Sequence, residues 1–231
     1  RMVKPEIAII TNISGAHFKN FNTLKDIAKA KAEIIDNILE DGNIILNKDD
    51  KFFNFLSNIA KKKGIKVISF SSRKAADVFL FNSQRIKNYY RLKVIVEKNV
   101  FYFDVKNFTD NFINNILASI AVLSSLNLDL NKMKKGFIDF DIPSGRGDVK
   151  VVKKFNKRFK FIDESYNANP LSMASAIKNM NYYKRKNKSQ KLVFLGDMLE
   201  LGKKTKKFHK ELSNVINKSD IDKVFVYGKY I

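Results

Sequence analysis

The sequence predicts an α/β protein built from two successive domains, and three observations predict it. Short apolar runs alternate with stretches of helical period. One segment, "DFDIPSGRGDV", gathers one of the three prolines and two of the nine glycines, and divides the chain near Pro143. Beyond it the strand–helix rhythm restarts. The 231 residues, 45% of them hydrophobic, can build one large core or two ordinary ones. The expected domains are residues 1–142 and 143–231.

The elements follow in order. "EIAIITNI" reads as a buried first strand, and a helix is expected from about Thr23 to Leu39, opened by a capping box of Thr23 and Asp26. "NIILN" is a strand, Lys51 to Lys63 a helix and "IKVISF" a strand. "RLKVIVEKNVFYFDV" alternates in Leu92, Val94, Val96 and again in Phe101, Phe103, Val105, the period of a hairpin. A helix from about Thr109 to Leu126 closes the first domain. In the second, "RFKFID", a helix from Pro170, "KLVFLG", a helix from about Lys203 and "KVFVYG" repeat the pattern, with Asn169 and Pro170 suited to N-cap and first helical position. Only "KYI" follows the last strand, so this second domain is expected to stop mid-fold.

Composition narrows the function. There is no cysteine, which excludes disulfides, thiolate metal sites and a cysteine nucleophile. No apolar stretch approaches the ~20 residues of a membrane span, and "RMVKPEIAII" lacks the build of a signal peptide. A cytoplasmic protein is expected. The net charge of +21 invites a nucleic-acid reading. Yet lysines are scattered through every helix rather than gathered in a stripe, so a solvated basic surface and no nucleic acid are expected. Such a balance also suits small anionic substrates such as nucleotides.

His17, one of two histidines, stands in the loop that leaves the first strand. By itself it can be a loop histidine with no task. In the following helix Lys31 lies four residues after Ile27 and three before Ile34, on a stripe completed by Ile35 and Ile38. A snorkelling lysine is one reading. The other is an amine with a lowered pKa, which can take up carbon dioxide as a carbamate and so become a carboxylate-like magnesium ligand.

"KPEIAIITNISGAHFKNF", "DIAKAKAEI" and "ILNKDD" resemble the central domain of the ATP-dependent Mur ligases of peptidoglycan synthesis. "SGRGD", "FIDESYNANPLSM" and "LGDMLELG" look like the branch that joins D-Ala-D-Ala to UDP-MurNAc-tripeptide. The resemblance implies the back half of the central ATP-binding domain followed by a truncated Rossmann-like C-terminal domain. It implies ATP and Mg2+ as cofactors, UDP-MurNAc-tripeptide and D-Ala-D-Ala as substrates, and a monomer. His17 and a carbamylated Lys31 match the family's magnesium ligands. Thr11 and Asn12, in the same loop, face either substrate or the backbone turn.

Further residues follow from the same match. Asn111 and Asn114 lie three apart on one helix; capping or solvent would explain them, but an amide also fits the adenine edge. The resemblance assigns adenine to Asn114 most clearly, although Asp110 and Asn115 replace the usual His and Ala. Arg146 matches an arginine that contacts the nucleotide, and a planar fork can clamp phosphate. Glu164, Tyr166, Asn167 and Asn169 crowd one strand end as further nucleotide contacts, Glu164 standing where many relatives have Asp; capping alone would explain Asn169. Asp197 and Glu200 leave the C-terminal end of a strand, the ligand edge of a parallel sheet, and either approach the dipeptide or stabilise the loop. His209 is read as structural. The family's phosphate loop, G-x-x-x-x-G-K-[ST], does not occur in these residues, so the chain by itself is expected to be inactive. A sibling Mur-type or folylpolyglutamate-type ligase and a noncatalytic nucleotide-binding fragment are the alternatives.

Overall fold

"NIILN" forms the inner strand of the first sheet because every residue from Ile44 to Leu46 is apolar and both faces are covered. The computed structural model describes residues 3–15, 21–185 and 189–231. These form two compact units, one holding the described residues up to Ser14 and Thr23–Phe140, the other Gly15, Phe21, Asn22 and the described residues of Asp141–Ile231.

The first unit is a six-stranded sheet in sequential order, β1 (Ile7–Ile10), β2 (Asn43–Asn47), β3 (Lys66–Ser71), β4 (Val78–Ile86), β5 (Tyr89–Val96) and β6 (Asn99–Val105). β1 to β4 run parallel and β4 to β6 form an antiparallel meander. α1 (Leu24–Ala32) links β1 to β2, and α2 (Phe53–Lys62) links β2 to β3. α3 (Asp110–Ser125) lies across β2, β3 and β4, burying Ile113, Leu117 and Ile120. α4 (Leu130–Asp139) covers β6, where Phe137 meets Phe103 edge-on at 5.0 Å.

Three features of this unit depart from the sequence reading. The helix after β1 carries the expected Thr23–Asp26 capping box but ends at Ala32 and tightens into a 3-10 turn over Glu33–Asn37. That turn sends Ile35 and Ile38 to the core and leaves Ile34 38% exposed. β4 was not expected, because its second half, Asn82 to Arg85, is polar and exposed. It pairs with β3 only through Phe70–Val78 and Ser71–Phe79. β4 thus starts where β3 ends and runs onward, so a short link suffices where most parallel pairs need a long crossover. α4 was also unforeseen, its apolar residues being sparse among lysines.

The second unit differs more. β7 (Asp148–Lys154) and β8 (Lys157–Asp163) form a hairpin of their own. β9 (Leu192–Gly196) and β10 (Lys223–Tyr227) form a separate parallel pair. α5 (Pro170–Asn179) packs against α6 (Thr205–Ile216). "RFKFID" was expected to open a strand–helix–strand unit with "KLVFLG"; it ladders with β7 instead. The hairpin closes on Phe155 and Asn156, both at positive φ (51° and 54°), the type I′ geometry that matches strand twist.

Candidate functional site

The parallel strands β1 to β3 end along one edge, and the "NKDD" segment, residues 47–50, ties that edge together. The Asn47 amide donates to the Thr11 carbonyl at 3.0 Å. Asp49 accepts from the Ser71 hydroxyl and the Ser72 backbone N–H, both at 2.7 Å. Asp50 accepts from the Ile13 N–H at 2.7 Å with one oxygen and from the Phe52 N–H at 2.8 Å with the other. Buried polar groups must be paired, and here the pairing fixes the loop that leaves β1. The sequence reading did not single out Asn47, Asp49 and Asp50 for this tying role; their signal was the quoted "NKDD".

Lys31 reaches this loop from α1. Its ammonium donates to the Asn12 carbonyl at 2.9 Å. The residue is exposed and does not sit on the buried stripe of Ile27, Ala28 and Ala32, which corrects the reading from Ile34. Crowding around the ammonium nevertheless lowers its pKa below the usual lysine value, and the Asp50 carboxylate works against that shift. Thr11 and Asn12 serve the loop through their carbonyls. His17 lies outside the described residues.

α3 starts at the N-cap Thr109, whose hydroxyl accepts from the Phe112 N–H. Asn111 is exposed on the first turn, and Asp110 pairs with Arg73 at 3.4 Å. One turn on, the Asn114 Oδ1 is buried with no partner among the described residues. Such an acceptor fits a ligand amine.

In the second unit a tight turn assembles several expected residues. Gly145 (φ 78°) and Gly147 (φ 96°) occupy left-handed backbone. A side chain on Gly145 would crowd the Tyr166 backbone, and one on Gly147 the Glu164 carboxylate. The Tyr166 N–H donates to the Gly145 carbonyl at 3.0 Å. The Arg146 guanidinium then lies 3.8 Å from the centre of the Tyr166 ring. Crowding raises the Glu164 pKa although the residue is exposed, and Asp163 and Asp148 push it the same way. Arg146, Glu164 and Tyr166 are thus brought together. Asn167 is exposed nearby. Asn169 caps α5, its Oδ1 accepting from the Leu171 and Ser172 N–H groups at 3.1 and 2.9 Å, so that oxygen is committed to the helix.

Asp197 takes the loop-stabilising option. Its carboxylate accepts from the N–H groups of Lys229, Tyr230 and Ile231 at 2.7, 3.0 and 2.9 Å. Burial opposes its charge, but these three N–H donors hold its pKa below the usual carboxylate value. Gly228 lets the backbone pass so close that any side chain there would strike this carboxylate. Glu200 is exposed and in left-handed backbone at φ 59°. His209 is buried: Nε2 accepts the Met198 N–H at 2.9 Å and Nδ1 donates to the Thr205 carbonyl at 2.8 Å, the pattern of the Nδ1–H tautomer. The described residues hold no group of three or more His, Asp or Glu placed to bind a metal. No described helix is long and apolar enough to cross a membrane.

Comparison with known proteins fits this geometry. The chain is 32% identical over 233 residues to the UDP-N-acetylmuramoyl-tripeptide--D-alanyl-D-alanine ligase of Buchnera aphidicola subsp. Baizongia pistaciae, covering 99% of this chain and 48% of that one. It is 28% identical over 235 residues to the enzyme of that name from Bacillus subtilis, covering 99% and 47%. The chain spans about half the length of the curated relatives it matches. Among solved structures, MurF from Acinetobacter baumannii superposes with a TM-score of 0.86 at 25% identity, covering 98% of this chain and 48% of that one. The MurF ligase of Thermotoga maritima in complex with ADP shares the fold at a TM-score of 0.79 and 24% identity, covering 96% and 48%. The family profile described as the Mur ligase middle domain matches residues 1–123, and that of the Mur ligase, glutamate ligase domain, residues 147–230. With the larger part of its length matched to the middle domain and most of the remainder to the second, the chain belongs to the Mur ligase family.

Proposed function

We propose that this chain is the nucleotide- and dipeptide-handling part of an ATP-dependent ligase that joins D-Ala-D-Ala to UDP-MurNAc-tripeptide. The observation that carries the reading is the alignment of 99% of the chain with ligases of that name. The site supports it at two points. The unpaired Asn114 acceptor fits the exocyclic amine of adenine. Lys31, held at the Asn12 carbonyl with its pKa shifted downward by burial, is the candidate for carbamylation.

In this reading ATP phosphorylates the terminal carboxylate of the tripeptide. The amine of D-Ala-D-Ala attacks the acyl phosphate, and phosphate leaves. Asn114 orients the base and Arg146, stacked on Tyr166, neutralises phosphate charge. Glu164, Tyr166 and Asn167 line the nucleotide, and Asn169 sets the helix behind them. Thr11 and Asn12, which hold the loop through their carbonyls, are the candidates beside the tripeptide, and Asp197 and Glu200 those beside the dipeptide. His17 and carbamylated Lys31 would hold magnesium, which supplies positive charge beside the transferring phosphoryl group. The unmodified lysine is a cation and cannot serve, so the ion's fit depends on the carbamate.

Ligation by the full-length protein with ATP, magnesium, UDP-MurNAc-tripeptide and D-Ala-D-Ala tests the reading. The 231 residues alone are expected to give no turnover, because positioning supplies much of the rate in phosphoryl transfer and no phosphate loop lies among them. Preference of the full-length protein for a single amino acid over the dipeptide would overturn the substrate assignment.

A further inference from the structure

Lys31 and Asp50 grip opposite ends of one peptide group. The Lys31 ammonium donates to the carbonyl of Asn12 at 2.9 Å. The N–H of the same peptide unit, that of Ile13, donates to Asp50 at 2.7 Å. The described chain contains no cis peptide bond. In a trans peptide the C=O and N–H point in opposite directions within one plane. Fixing the N–H therefore fixes the direction of the carbonyl. Asp50 can act as such a fixed point because its second oxygen is held by the Phe52 N–H at the entry to α2. The preceding peptide is pinned as well, the Thr11 carbonyl accepting from Asn47.

We propose that Asp50 is a positioning residue for Lys31, acting through the Asn12–Ile13 peptide plane. The inference rests on the carbamate reading of Lys31 given above. When the neutral amine attacks carbon dioxide, a C–N bond forms, one proton leaves to solvent, and the product –NH–COO⁻ keeps one hydrogen on nitrogen. That N–H has an acceptor already aimed at it, the Asn12 carbonyl. The new carboxylate is then turned away from the carbonyl. Without Asp50 the peptide plane can rotate, the carbamate N–H loses its acceptor, and the carbamate reverts more readily to amine and carbon dioxide.

The test compares Asp50→Glu with Asp49→Glu in the full-length protein. Both variants keep the charge, because loss of the Asp50 carboxylate would lower the Lys31 pKa and by itself favour the neutral amine. Glu at position 50 carries its carboxylate one methylene further out, so the Ile13 N–H loses its fixed acceptor. Asp49 holds Ser71 and Ser72 rather than the loop, so its variant controls for general loss of stability. Carbamate is read from the 13C signal after equilibration with labelled bicarbonate, and the link itself from amide exchange at Ile13. Asp50→Glu is expected to lower carbamate occupancy by roughly three- to tenfold, the effect of one lost hydrogen bond, and to speed Ile13 exchange. Asp49→Glu is expected to change neither. Unchanged occupancy in Asp50→Glu overturns the proposal, as does a loss without faster Ile13 exchange or an equal loss in both variants. A wild-type protein with no carbamate signal refutes the underlying reading and the proposal with it.

Discussion

Asn114 and Asp197 show how differently two polar side chains use their surroundings. The Asn114 oxygen is buried and unpaired among the described residues, a state that costs free energy until a donor arrives. Asn114→Leu should therefore leave the ligand-free protein as stable as before, or more so. It should weaken ATP binding by about 1–3 kcal/mol if the adenine amine is the missing partner. Thermal melts with and without ATP separate the two effects; an unchanged ATP-induced shift would reject the adenine role. Asp197 is the reverse case, an acid whose native pKa is depressed. Its contribution is present above the unfolded value near ~3.9 and is lost as pH falls through the lower folded value. Acid titration should show a stability loss that Asp197→Asn lacks; parallel acid curves would remove Asp197 as the clamp of residues 229–231. The family resemblance could nominate Lys31, Asn114, Arg146 and Glu164 as candidates because each lies in a segment that matches the family. It could not rank Asp50 above its neighbours, because the role of Asp50 depends on a backbone N–H thirty-seven residues away.

The strands that sequence missed are those whose signals are local and atypical. The β7–β8 turn uses Phe-Asn where Asn-Gly is the usual signature, so the hairpin was invisible and β8 was assigned to the wrong sheet partner. β4 alternates poorly because half of it is solvent-exposed. By contrast, β2, β5 and β6 were legible from buried apolar runs and strict alternation. The odd turn makes a prediction. Phe155 is 84% exposed, so little burial is lost when it is replaced. Left-handed backbone costs an ordinary residue about 1–2 kcal/mol. Phe155→Gly should stabilise the hairpin by up to about 1 kcal/mol after the glycine's greater chain entropy is subtracted. A lower melting temperature would show that the ring has a partner that outweighs the strain.

At the level of the molecule the dominant number is the charge, +21 on 231 residues. Like charges at that density repel one another within each compact unit. Raising ionic strength from about 0.01 M to 0.15 M shortens the screening length from ~30 to ~8 Å. The melting temperature is expected to rise across that range. A falling one would mean that specific ion pairs, such as Arg185 with Asp220 and Asp222, outweigh the general repulsion. The broad α/β plan was legible at this scale because burial periodicity survives a lysine-rich composition. The two apolar runs that became β9 and β10 were legible as strands, and the structure adds their five-residue parallel register across the intervening helix. The hairpin standing apart from them did not.

The locked ring of His209 has a use outside the protein's own chemistry. Only two histidines occur in the chain, so its imidazole spectrum contains two residues and no more. His209 donates one ring hydrogen to a buried carbonyl and spends its other nitrogen on a backbone amide. That hydrogen is expected to exchange slowly with water and to give a sharp downfield resonance, an internal standard for the folded second unit. In a spectrum of these 231 residues the other imidazole signals belong to His17. A nuclear magnetic resonance titration can therefore follow one candidate ligand without labelling or mutation, with its own folding control in the same trace.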